Sequence, residues 1–330
     1  MKITLYLLCL LSFFLSLPAT AKNCQEVRMG FDIGSGSTKI LVAKVDFCEH
    51  KILEVLYTDS KPVPFNEDLE RSKDEKLSAE IIERGLKTLT ELTAKGRTYK
   101  PKKTYGVATS VFRKAHNGID VIKGYAKKLN LRLEVISQID EAMLGFISVR
   151  SFTNEKKIVV WDIGGGSMQM WSQHENKKPE TYLGDLASVT FKNMVIEAVE
   201  LKNPDSVTTP NPIGDKREQI IAFARAYAKI HVPADLKMAI RERTMIGVGG
   251  VHSQSIKKQL NLNDDHLFYT VDDLEKAGKA QSEKSDKDLT GDYRATDVTN
   301  LLLVQGFMEG LGIKEVKIIN ATLLQGAVLK

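Results

Sequence analysis

The phrase Asp-Ile-Gly-x-Gly-Ser occurs twice in this chain, as Asp32-Ile33-Gly34-Ser35-Gly36-Ser37 and as Asp162-Ile163-Gly164-Gly165-Gly166-Ser167. Each copy is flanked by runs rich in apolar and β-branched residues, Val27 to Phe31 and Thr38 to Val45 for the first, Lys157 to Trp161 and Met168 to Trp171 for the second. Both read as strand, glycine-rich turn, strand. Such a turn lets backbone amides approach a ligand closely and adds hydroxyl donors, a combination suited to phosphate oxygens. The aspartate at the strand end supplies a hard oxygen of the kind Mg²⁺ takes alongside substrate phosphates. A dinucleotide-binding turn does not fit. It must open a helix with G-x-G-x-x-G spacing, and Thr38 to Val45 alternates like a strand. Either turn alone could be an unliganded hairpin, but two that share the same aspartate are hard to ascribe to chance.

At 330 residues, 42% hydrophobic and 27% charged, the chain is long enough for two ordinary domains of a soluble protein. Residues 1–21 read as a secretory signal peptide: Lys2, an apolar run from Ile3 to Leu17 broken only by Thr4, Ser12 and Ser16, and Ala19-Thr20-Ala21 as cleavage site. A membrane anchor would need about 20 apolar residues, more than this run supplies, so none is expected after cleavage. Loss of the leader removes one lysine and no acid, leaving 46 basic against 42 acidic side chains, a formal +4. That mild excess suits an anionic ligand. Without a dense Lys/Arg block interleaved with aromatics, no nucleic-acid polymer is expected as partner.

Cys9 leaves with the leader, and Cys24 and Cys48 remain. If the first hairpin pairs about its Gly34 to Ser37 turn, Cys24 falls opposite Phe47 or Cys48, within bridging reach across the hairpin base. In an exported chain that bridge is expected, with two free thiols the alternative. The six histidines show no metal-ligand spacing, and zinc is not expected.

Between the two turns, periodicity predicts helices over 78–96, 117–129 and 140–152, strands over 52–57, 103–108 and 133–136, and a loop over 62–76. Beyond the second turn it predicts a loop over 204–215, a helix over 216–230 and a strand over 243–250 that runs into Gly247-Val248-Gly249-Gly250. A helix over 251–260, an amphipathic helix with one apolar face over 295–310, a strand over 316–319 and a helix over 322–329 follow. The alternation is that of an α/β fold.

Five segments carry a more specific signal: Asp32 to Lys39, Ala108-Thr109-Ser110-Val111-Phe112-Arg113 through Asn117, Ile136-Ser137-Gln138-Ile139-Asp140-Glu141-Ala142, Asp162 to Gln169, and Gly247 to Val251. In that order they resemble the motifs of the exopolyphosphatase and guanosine pentaphosphate phosphohydrolase family of the actin-like ATPase superfamily. The resemblance implies an α/β fold of two ribonuclease H-like domains flanking a central cleft. The first would span 22–137, with the C-terminal segment from about 317 to 330 packing back on it, and the second 138–316. It implies hydrolysis of terminal phosphoanhydride bonds with Mg²⁺ or another divalent cation, Glu141 acting as base on water. Asp32, Asp162 and Gln169 would serve the metal. Ser35, Gly36, Ser37, Lys39, Arg113, Gly164, Gly165, Gly166, Ser167 and Gly249 would contact substrate phosphate, with Arg113 preferred to its neighbour Lys114 as a planar clamp. Three positions depart from the family: Gly36 replaces an Asn, Val251 a Thr, and Gln169 a Glu. The last removes a charge from the metal side and predicts a slower enzyme, or a phosphate binder on the same scaffold. Export to the periplasm or beyond favours inorganic polyphosphate over guanosine pentaphosphate, a cytoplasmic signal. A homodimer is one assembly open to it, and a sugar-kinase-like transferase would need a sugar-binding aspartate for which no position stands out.

Overall fold

The computed structural model, which describes residues 24–330 apart from 175–176, 266 and 292–293, is built on two mixed sheets. The expected leader, residues 1–21, lies outside the described residues. Among those described, no helix is long and apolar enough to cross a membrane.

The first sheet joins β1 (Gln25–Ile33), β2 (Ser37–Asp46), β3 (Lys51–Pro62), β4 (Lys103–Ala108) and β5 (Leu133–Val135) in the order β3-β2-β1-β4-β5. Strands β1 to β3 form an antiparallel meander, and β4 and β5 add parallel to β1. The helices of this half are α1 (Phe65–Glu70), α2 (Ala79–Arg97), α3 (Ser110–Lys114) and α4 (Gly118–Leu129). Ser78 caps α2 by accepting from Ile81 N, and Leu89 and Leu92 pack from that helix onto Met29, Phe31, Ile40 and Val42. The alternate residues Leu41, Ala43 and Val45 face the other way, toward Leu324 and Val328. With both faces covered, the middles of these strands are buried, Met29 to Ile33 in β1 and Ile40 to Ala43 in β2, and the apolar run Ile40 to Ala43 made the second legible as a strand. The predicted 62–76 loop contains α1, one short helix held by the buried Phe65.

After α5 (Gln138–Arg150) the pattern repeats. Strands β6 (Ile158–Ile163), β7 (Met168–Ser172) and β8 (Glu180–Gly184) form a second antiparallel meander, and β9 (Thr244–Val248) pairs parallel with β6. With β10 (Phe268–Thr270) and β11 (Glu315–Ile318) the order is β10-β11-β9-β6-β7-β8. The run β8-β7-β6-β9-β11 thus copies β3-β2-β1-β4-β5, and the repeated phrase closes the same hairpin in each sheet.

Helices α6 (Ser188–Met194), α7 (Arg217–His231) and α8 (Ala234–Glu242) follow β8, and a π-helical turn, Val251–Ile256, leads into α9 (Lys257–Gln259). Next come α10 (Val271–Ser282), α11 (Arg294–Leu311) and α12 (Leu323–Leu329). The expectation of a single apolar face on α11 is corrected: every residue from Asp297 to Met308 is buried, because α6, α7, α10 and the π-helical turn enclose the helix. Its polar residues are bonded accordingly, Asp297 accepting from Ser255 Oγ at 2.8 Å and Asn300 Nδ2 donating to the same oxygen at 3.1 Å.

Two helices lie where the halves meet. On α12, Leu324 and Val328 pack against Leu41 and Ala43 of the first sheet. On α5, Leu144 joins Tyr105, Val107 and Ala327, while Val149 joins Ile158, Val160, Ile246 and Val248 of the second sheet. The helices touch backbone to backbone at Gly326, where any Cβ would collide with Leu144 O.

Candidate active site

Both glycine-rich turns adopt the same conformation. Gly34 N donates to Ser37 O at 2.9 Å, and Gly164 N to Ser167 O at 2.9 Å. The carbonyls of each turn are tied to the segment that follows its meander: Ser35 O and Gly36 O accept from Asn66 N and Val63 N, Gly164 O and Gly165 O from Ser188 N and Val189 N. Carbonyls held back in this way suit a turn that presents amides to an anion. The aspartates occupy matching positions, Asp32 opposite Lys39 in the β1–β2 register and Asp162 opposite Gln169 in the β6–β7 register. Lys39 Nζ lies 3.3 Å from Asp32 Oδ2. Gln169, only 2% exposed, donates from Nε2 to Ser167 Oγ at 3.0 Å. The second hairpin therefore has a neutral amide where the first has a cation.

Glu141 sits in the first turn of α5, whose N-terminus Ser137 caps by accepting from Asp140 N. It is 8% exposed, and Arg113 Nη1 donates to its Oε2 at 2.8 Å and to Ile136 O at 3.0 Å. Burial pushes the Glu141 carboxyl up to about 7; Arg113 opposes this, and Asp162 and Asp32 add to it by repulsion. Burial likewise pushes Asp162 up to about 6, with Lys39 opposing and Asp32 adding. The two aspartates and the glutamate thus share one acidic locus, to which the first hairpin, the second hairpin and α5 each contribute one carboxylate.

The third turn closes on this locus. Gly249 has φ +81°, and a Cβ there would collide with Asp162 Oδ1, so both backbone conformation and space require glycine. His252, three residues on, points into the core. It bonds the Tyr269 hydroxyl at 2.6 Å, and burial pushes its imidazole down to about 3, which favours the neutral ring.

Arg113, the expected phosphate clamp, is engaged with Glu141. The cation beside the second turn is Lys114: a Cβ placed on Gly166 would lie 3.4 Å from Lys114 Nζ and 3.6 Å from Ser110 Oγ. Ser110 and Lys114 stand four apart on α3 and share a face. Sequence reading passed over Lys114, although that spacing from Ser110 was the available signal.

Two hard carboxylates that repel one another, with Lys39 acting on both, fit a small dication. Among the described residues Asp32, Asp162 and Glu141 do not bring three ligand atoms together as a preformed cage. Cys24, Asp46 and Cys48 do converge, but the two sulfurs are bonded to each other. The expected disulfide is formed, and with Phe47 N donating to Cys24 O at 2.9 Å it closes the base of the first hairpin.

Residues 41–204, which include Arg113, Glu141 and the whole second turn, match the Ppx/GppA phosphatase family. The chain carries a Ppx/GppA family domain. Exopolyphosphatase 1 of Mycobacterium leprae is 37% identical over 78 residues, and the chain spans 23% of that relative's length. A Ppx/GppA enzyme from Aquifex aeolicus matches at a TM-score of 0.72 and 16% identity, over 92% of this chain and 99% of its own. An exopolyphosphatase from Cytophaga hutchinsonii matches at 0.69 and 16%, over 91% and 96%. The fold is therefore the actin-like ATPase fold of two mixed α/β domains, over nearly the whole chain. Asp32 and Gly249 lie outside the Ppx/GppA family match, and the fold brings both to the residues inside it.

Proposed function

We propose that this protein is an exported, Mg²⁺-dependent phosphohydrolase that removes terminal phosphate from inorganic polyphosphate, with Glu141 as base. The observation that carries the reading is the environment of Glu141. It is a buried carboxylate pushed up to about 7, close to Asp32 and Asp162 of the two glycine-rich turns. A base of that strength takes a proton from water effectively near neutral pH. The amides and hydroxyls of Ser35 to Ser37 and Gly164 to Ser167 would hold the terminal phosphate, with Lys39 and Lys114 meeting its charge. Asp32 and Asp162 would hold the dication, which when bound spreads the negative charge of the transferring group. Arg113 orients Glu141. As the water oxygen bonds to phosphorus, the bond to the shortened chain breaks and the water proton passes to the Glu141 carboxylate.

Export is supported by the leader-like N-terminus and by the Cys24–Cys48 bridge, a bond that persists in oxidising compartments. Relatives named exopolyphosphatases support polyphosphate over a guanosine pentaphosphate-type substrate. Gln169 favours a second reading, a phosphate-binding protein on the same scaffold, because a neutral amide faces Asp162 where a carboxylate would strengthen metal binding.

Orthophosphate release from polyphosphate with Mg²⁺, compared between the wild type and Glu141→Gln, tests the choice. The substitution is expected to lower turnover about 10²- to 10⁴-fold while polyphosphate still binds. Unchanged turnover would refute the base, and a wild type that binds polyphosphate without releasing phosphate would favour the binder.

A further inference from the structure

The cations of this chain are unevenly placed. From Lys95 to Leu133 there are eleven lysines and arginines and one acid, Asp120, although the whole chain carries 47 basic against 42 acidic residues. Arg113 and Lys114 of this stretch belong to the candidate active site. Most of the rest gather at the opposite end of the first sheet. Arg97 Nη2 donates to Leu129 O at 2.7 Å, which brings the ends of α2 and α4 together with Lys127 and Lys128. Lys102 N donates to Val27 O at 2.8 Å, and Lys103 pairs in register with Arg28. Around Arg28, Lys103, Arg132 and Lys330 opens a cavity of about 400 Å³ over Tyr105.

Glu26 and Glu134 neutralise part of this charge, Glu26 shared between Arg28 and Lys103 and Glu134 paired with Arg132. Arg97, Lys100, Lys102, Lys127, Lys128 and Lys330 have no acidic partner among the ion pairs of the described residues. Cations in the last turn of a helix answer the helix dipole, which accounts for Arg97, Lys127 and Lys128. Lys102, Lys103 and Arg132 lie beyond the helix ends, and Lys100 serves α2 through its backbone alone, its N donating to Arg97 O at 3.0 Å.

We propose that this face is a second anion site, which takes a length of linear phosphate polymer away from the cleft. A series of exposed cations that continues into a concave pocket matches a continuous polyanion better than a single phosphate ion. The polymer is one without bases, because the rings at this end are already covered. The Arg132 guanidinium and Lys330 ammonium lie 5.1 and 5.2 Å from the centre of Tyr105, and Tyr99 stacks on Tyr57. Arg28 precedes Asp32 by four residues on β1, roughly 13 Å along the strand, so a chain held here leaves the cleft open. The choice of polymer rests on the function proposed above; the second site does not.

The test measures binding without turnover, in the Glu141→Gln background, using fluorescently labelled long-chain polyphosphate and unlabelled tripolyphosphate. Combining Lys100→Glu, Lys102→Glu and Lys103→Glu is expected to weaken long-chain binding about tenfold or more at low salt and to flatten its salt dependence. Tripolyphosphate affinity and melting temperature should stay unchanged. Equal long-chain binding by the charge-reversed protein overturns the proposal. So does a charge reversal that abolishes binding to duplex DNA or phosphatidylserine vesicles and spares polyphosphate. If tripolyphosphate binds neither form while the long chain still distinguishes them, the second site stands and the cleft reading fails.

Discussion

Arg113 and Lys114 are neighbours in sequence with different partners, because successive residues of a helix are turned by about 100° from one another. Arg113 reaches Glu141, while Lys114 lies beside Gly166 of the second turn. The motif made the guanidinium the natural phosphate clamp; the direction of α3 shows that it also meets a carboxylate. Two predictions follow from this division. As the proposed base Glu141 would act only when ionised, so the rate should fall as pH drops through about 7. Arg113 is the cation that holds its carboxyl down, so Arg113→Met should move the acidic limb of the pH–rate profile to higher pH; a limb that stays in place would uncouple the pair. Lys114, beside the second turn, is the cation proposed to meet substrate. Lys114→Gln should raise KM roughly tenfold, the worth of one charge-assisted hydrogen bond, with kcat within a few-fold and Lys114→Arg restoring binding. Steady-state kinetics on tripolyphosphate decides this, and an unchanged KM would remove Lys114 from the site.

At the level of elements, the repeated hairpins were legible because the same aspartate and glycine-rich turn recurs between buried strand segments, Met29 to Ile33 and Ile40 to Ala43 in the first, Ile158 to Val160 and Met168 to Ser172 in the second. Strand β10 has three residues and β8 five, too few for periodicity to register. Helix α10 buries only Leu274, Gly278 and Ser282, too sparse a face to stand out in the sequence. Helix α11 misled for the opposite reason: Asp297 and Asn300 look like a solvent face until the π-helical turn supplies Ser255 as their partner. The cysteines were placed by hairpin register, and the register holds, Gln25 pairing with Asp46. Their bridge spans 24 residues and restrains the unfolded chain, for a stabilisation of about 3 kcal/mol by loop entropy. Cys24→Ser should shift the urea unfolding midpoint down by a corresponding amount. A midpoint indifferent both to this substitution and to reductant would show that the hairpin is held by its strand pairing alone.

In the whole molecule, internal duplication and the order of the motifs pointed to two halves, and the resemblance to a C-terminal segment that packs back on the first, as Leu324 and Val328 do, but nothing pointed to what lies between the sheets. No local pattern encodes the contact of Gly326 with Leu144, which forms between segments far apart in the chain. The buried charges of the cleft also set a global property. Folding raises the Glu141 carboxyl from its ordinary 4.5 to about 7, so its contribution to stability is complete below 4.5 and is lost as pH rises through about 7. The metal-free protein should therefore melt at a lower temperature at pH 8 than at pH 5, and Mg²⁺ should narrow the gap. Calorimetry across that range checks the sign, and a melting temperature that rises with pH would contradict it.

Helix α5 rests on the first sheet through Leu144 and on the second through Val149. Glu141 is thus mounted on the helix between two sheets that each carry a glycine-rich turn. If the sheets were to swing about that helix, points near its axis would travel least, and the turns would move further than the proposed base.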